Sequence, residues 1–127
     1  VAKPPLLIDY FLPIIPNILS LLERESRYSV IQQCAYAFAE IAAFNFTDQQ
    51  NQIDDTTRNQ IMTKLKEKRK ELELNLKNQK TSNTGKLLKN IKNYTNTEHW
   101  IEIAIKNIEG VQLSEEEKDH LFAFRAN

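Results

Sequence analysis

Glycine is nearly absent: Gly85 and Gly110 are the only two in 127 residues. Phosphate loops need several glycines close together so that the backbone can approach the anion. Neither a P-loop nor a dinucleotide-binding fingerprint can be built from these two. Cysteine occurs once, at Cys34, which excludes an intrachain disulfide and any multi-cysteine zinc site. There is no net charge, with 17 basic side chains against 17 acidic ones. Strand signals are missing as well, since no run alternates apolar and polar residues between turn pairs. The longest apolar stretch, Leu6–Leu22, is interrupted by Asp9, Pro13, Pro16 and Asn17. It reads as a core-forming segment and not as a membrane span. No basic, apolar and small-residue series marks a signal peptide. A cytoplasmic location is therefore expected, and the Asn45-Phe46-Thr47 and Asn93-Tyr94-Thr95 triplets are not read as glycosylation sites. The chain starts at Val1, and it is expected to be a piece of a larger protein.

What is present suits a soluble globular fold. The chain is 41% hydrophobic and 27% charged, and its length fits one domain with a core of its own. Helical periodicity runs through nearly all of it. A first short helix is expected at Pro5–Leu12, broken by Pro13, and a second at Ile15–Glu25, with Pro16 tolerated in the first turn. A third helix, about Tyr28–Phe46, is apolar over most of its circumference: Val30, Ile31, Cys34, Ala35, Ala37, Phe38, Ala39, Ile41, Ala42, Ala43 and Phe44. Such a helix is sandwiched between others, so it is expected at the centre. After a polar loop, Asp54, Asp55 and Thr56 offer N-caps for a long fourth helix, about Thr56–Lys80. Its stripe of Ile61, Leu65, Leu72 and Leu76 is narrow, so it packs by one side. Close packing is expected along its first half, with weaker anchoring after Leu76. Two further helices are expected at about Lys86–Tyr94 and Glu98–Glu109, with Gly110 as the residue that ends the second. A last one starts at the capping box Ser114-x-x-Glu117 and carries Leu121, Phe122 and Phe124. The expected fold is thus a single all-α domain of about six to seven helices.

Zero net charge hides an asymmetry. Between Thr63 and Asn93 lie ten basic side chains and three acidic ones. The segment carries a net +7, and the remainder carries −7. On a helical wheel Lys66, Arg69, Lys70, Lys77 and Lys80 gather beside the leucine stripe. Such a stripe can follow the phosphates of a nucleic acid or of an anionic phospholipid surface. No aromatic residue is interleaved between Gln60 and Lys92, so base stacking is not offered. The alternative is a solvated face held by helical ion pairs such as Glu73 with Lys77.

Ile15-Pro16-Asn17-Ile18-Leu19-Ser20-Leu21-Leu22 is similar to the start of the second helix of an armadillo repeat. After a polar connection, Ala35-Tyr36-Ala37-Phe38-Ala39-Glu40-Ile41-Ala42 resembles the third helix of that repeat. The HEAT repeat fits almost as well. The resemblance spans about residues 8–45 and implies a protein-binding scaffold, with a groove lined by the third helix. The family's peptide-holding Trp and Asn positions fall on Tyr36 and Glu40. The aromatic is kept in kind and the Asn is not; an ionised Glu40 accepts hydrogen bonds but donates none. Gln32, Gln33, Tyr36 and Glu40 form the one polar strip on this helix. They are the expected partner-binding residues; the plain alternative is that they face solvent or neighbouring helices.

Other chemistry is sparse. His99 with Glu102 and His120 with Glu116 each share a helix face, which by itself does not make a metal site. Cys34 lies among alanines, where burial makes a thiol inert. Asp54 and Asp55 suit a helix start, where negative charge meets the macrodipole. No nucleophile, base and oxyanion donors stand at a recognisable spacing. No cofactor and no metal are expected. The expected work is protein–protein interaction or scaffolding along the central helix. The alternative is nucleic-acid or anionic-phospholipid binding through the basic stripe of residues 64–92.

Overall fold

A computed structural model describes residues 13–47, 54–79 and 84–126, with side chains described at 13–42, 54–79 and 84–123. Five helices follow one another in this part of the chain: α1 (Ile15–Arg24), α2 (Tyr28–Thr47), α3 (Asp55–Lys77), α4 (Thr84–Glu109) and α5 (Glu115–Ala126). Among the described residues there is no strand. The helix expected at Pro5–Leu12 lies outside them.

The helix ends follow local chemistry. Pro16 sits in the first turn of α1, where its missing N–H has no intrahelical partner to lose. The Asp54 carboxylate accepts from the Thr57 amide at 2.6 Å and caps α3. The capping box of α5 is closed in both directions. The Glu117 amide donates to the Ser114 hydroxyl at 3.1 Å, and the Ser114 amide donates to the Glu117 carboxylate at 2.9 Å. Gly110 ends α4 with φ 77°. The Val111 amide then reaches back to the Lys106 carbonyl at 2.9 Å and the Gly110 amide to the Asn107 carbonyl at 3.3 Å. That pair of bonds is a Schellman motif, which a Cβ at Gly110 would oppose. Between α1 and α2, the Glu25 carboxylate accepts from the Arg27 guanidinium at 2.8 Å and from the amides of Ser26 and Arg27. The Arg27 side chain, followed by its amide, holds the Glu25 carboxyl down at about 2.

One expectation is corrected. The segments Lys86–Tyr94 and Glu98–Glu109 are a single helix, α4; with Pro5–Leu12 outside the described residues, five helices are described where six to seven were expected. The Thr95-Asn96-Thr97 stretch contains neither proline nor glycine, and it does not break the helix. Thr95 and Thr97 turn their hydroxyls back onto the carbonyls of Ile91 and Asn93, at 2.9 and 2.7 Å, and stay helical.

The first four helices form a ring in which α1 touches α2 and α3, and α4 touches α2 and α3. Gln32 with Thr97 and Tyr36 with Trp100 set α2 parallel to α4. Lys68 with Glu25 and Lys64 with Glu23 set α3 parallel to α1. Lys66 with Glu109, and Tyr94 beside Arg69, Glu73 and Lys77, set α3 antiparallel to α4. The α2–α4 contact is the most extensive. Ala35, Ala39 and Ala42 are fully buried there; small side chains let the helices approach closely. The Asn107 amide side chain donates to the Ala39 carbonyl at 3.1 Å across the seam. The core is built from Ile31 and Phe38 of α2, Ile61 and Leu65 of α3, and Trp100, Ile101 and Ile108 of α4. Among the described residues no helix is long and apolar enough to cross a membrane.

Candidate functional site

The polar strip of α2 divides when its neighbours are in place. Gln32 donates to the Thr97 hydroxyl at 2.9 Å, and Thr97 is fully buried. The Tyr36 ring meets Trp100 edge-on, with centroids 5.6 Å apart and planes at 89°. Both side chains therefore hold α4. Gln33 is exposed and Glu40 half-buried. The four residues stay on one helix, and two of them, Gln32 and Tyr36, are engaged with α4.

The chemistry-bearing side chains elsewhere have structural partners. Burial pushes the Cys34 thiol up. Asp55 pairs with Arg58 at 3.6 Å in the first turn of α3. Glu102 lies 3.9 Å from Lys106. The two histidines meet across the α4–α5 junction, with ring centroids 4.8 Å apart, and His120 also lies 4.8 Å from Trp100. Burial, and then the charge of His99, lower the His120 pKa, against the pull of Glu116. Beside them Lys106 grips the Glu117 carboxylate with both contacts at 3.0 Å. Burial would raise Glu117, but bonds from the Ser114 amide, Lys106 and the Ser114 hydroxyl outweigh it and lower its pKa. Among the described residues no three His, Cys, Asp or Glu side chains gather as a metal site.

A groove of about 630 Å³ runs between α1 and α3, lined among others by Pro16, Leu19, Asn59, Gln60 and Thr63. Its charged rim is satisfied, because Lys64 pairs with Glu23 at 3.2 Å.

The basic segment is more distinctive. Its members do three different things. Lys68 is buried and donates to the carbonyls of Glu23 and Glu25 at 3.2 and 2.9 Å, with Glu71 at 2.6 Å. It satisfies the carbonyl end of α1, which would otherwise lack partners. Lys66 and Lys77 pair with Glu109 and Glu73 at 3.7 and 3.1 Å. Arg69 is half-buried beside Tyr94. Lys70, Lys89 and Lys92 are exposed, and among the described residues no ion pair involves them. Lys80 lies outside the described residues.

The ring's registers explain this. Lys68 is level with the end of α1, and the start of α2 is level with Asn93. The last turns of α3 and the first turns of α4 therefore outrun α1 and α2 by about 13 Å, at ~1.5 Å per residue. No described residue between Leu72 and Thr97 is buried. Between Leu74 and Thr97 the sequence has five lysines, Lys77, Lys80, Lys86, Lys89 and Lys92, and no acidic residue. Lys77 of α3 is paired with Glu73, so among the described residues the positive surface at the end of the α3–α4 hairpin is carried mainly by Lys86, Lys89 and Lys92 of α4.

The chain matches no protein-family model, no curated protein and no solved structure.

Proposed function

We propose that the chain is a helical binding module that holds a polyanionic partner at the lysine-rich end of the α3–α4 hairpin. One observation carries this reading: Lys77, Lys86, Lys89 and Lys92 lie among described residues between Leu74 and Thr97, none of which is buried, in a stretch whose sequence holds no acid. A one-signed surface raises the local concentration of an oppositely charged partner and speeds encounter. Protein interaction along α2 has weaker support, because Gln32 and Tyr36 are engaged with α4. The likeness of α1 and α2 to an armadillo or HEAT pair belongs to this proposal as the scaffold that carries the hairpin.

Retention on immobilised heparin tests the reading. The Lys70→Ser/Lys89→Ser/Lys92→Ser variant is expected to elute at clearly lower salt than the unaltered chain. Gln33→Ala/Glu40→Ala is expected to elute with it. No retention of the unaltered chain, or the reverse order of the two variants, would overturn the proposal.

A further inference from the structure

The end of the hairpin is not only positive. Leu88 is 61% exposed, Ile91 41% and Leu74 49%. Leu88 and Ile91 are three residues apart, so they share one face of α4. That face points away from the α2 seam, because Thr97, Trp100 and Asn107, which meet α2, lie on the opposite side of the wheel. Lys92 flanks Leu88 on the same surface, whereas Lys89 lies about 100° round from Leu88, on the side of the wheel that holds Trp100. Large aliphatic side chains standing in water among lysines have a chemical complement: an interface with negative charge outside and hydrocarbon beneath. A lysine stem lies along apolar surface while its ammonium stays at the phosphate level. A nucleic acid offers the charge but no use for Leu88 and Ile91. The one aromatic side chain of the Leu74–Thr97 stretch, Tyr94, is half-buried, so the hairpin offers a nucleic acid no row of open stacking platforms either.

We infer that the polyanion is the surface of an anionic phospholipid membrane, met by Leu88 and Ile91 with Lys92 beside them at the headgroups and Lys89 at the flank of the helix. This rests on the polyanion reading above and narrows it. Binding is peripheral: the leucine and isoleucine reach the boundary between headgroups and acyl chains, and the helices do not span. Each lysine close to an anionic surface strengthens binding by about fivefold.

The test uses the full chain with phosphatidylcholine vesicles, with and without phosphatidylserine, read by co-sedimentation. Binding is expected only when phosphatidylserine is present. Leu88→Asn/Ile91→Asn is expected to bind these vesicles at least tenfold more weakly while its heparin retention stays unchanged. Both positions are exposed, so an unchanged thermal melt shows that the variant is folded. Lys89→Gln/Lys92→Gln is expected to weaken vesicles and heparin alike. Heparin retention without vesicle binding would overturn the membrane inference and leave the polyanion reading standing. So would tighter binding to a mixed-sequence single-stranded RNA at the same salt, or vesicle binding indifferent to Leu88 and Ile91. Failure to bind heparin, RNA and vesicles would overturn both.

Discussion

Lys68 and Phe38 mark the range of what a single residue does in this fold. Phe38 is 1% exposed, and truncating it leaves a cavity that the ring of helices cannot collapse to fill. Phe38→Ala is expected to cost about 3–5 kcal/mol in urea unfolding. Lys68→Met keeps the stem but strips the donor from the carbonyls of Glu23 and Glu25. It is expected to cost about 1–3 kcal/mol, the penalty for buried acceptors left unpaired. The exposed Lys70→Met, two residues on, is expected to stay within ~0.5 kcal/mol. Equal melts for the two lysine variants would contradict the capping role. The Phe38 position is legible in the sequence because its helix is apolar nearly all round. The role of Lys68 is not, because a lysine in a basic run reads as one more solvated charge. Its position did carry a signal: Ile61, Leu65, Lys68 and Leu72 continue one stripe at helical spacing, and Lys68 stands where an apolar residue was due. The stripe is therefore complete only when a buried ammonium with three oxygen partners is counted in it.

At the scale of elements, caps and breaks were more legible than helix length. The Ser114–Glu117 box, the Asp54 cap, Pro16 and Gly110 all act where their chemistry places them. Thr95-Asn96-Thr97 did not act as a break, because helix-disfavouring side chains cost only tenths of a kcal/mol and burial against α2 offsets that. The contact of α5 with α4 could not be read from sequence, since nothing local says that His99 and His120 meet. That contact has a pH dependence of definite sign. The His120 pKa in the fold lies below its ordinary 6.5. As pH falls below that value the detached histidine takes up a proton more readily than the docked one, and the docked state loses stability. His99 and Trp100 from α4 and Glu116 from α5 face the ring, and only Glu116 opposes the loss. Amide protection factors in α5, corrected for the intrinsic exchange rate at each pH, are expected to fall between pH 7.5 and 5.5 in the native chain. His120→Gln is expected to flatten that dependence, and an unchanged slope in that variant would contradict it.

For the whole molecule, the asymmetry of charge was visible in the sequence and its geometry was not. The lysines in the first turns of α4 stand clear only because α3 and α4 are antiparallel and run past the α1–α2 turn. Those registers are set by long-range pairs such as Lys66 with Glu109 and Gln32 with Thr97. A helix wheel shows which residues share a face and leaves out what packs beside it; in the α2 strip, α4 engages Gln32 and Tyr36. The central claim is that the end of the α3–α4 hairpin is the working surface. The most direct test is an amide-resolved NMR titration of the full chain with a short heparin fragment. The account predicts shifts concentrated at residues 70–79 and 84–96, with α2 little changed. Shifts centred instead on Gln33 and Glu40, with residues 84–96 silent, would contradict it.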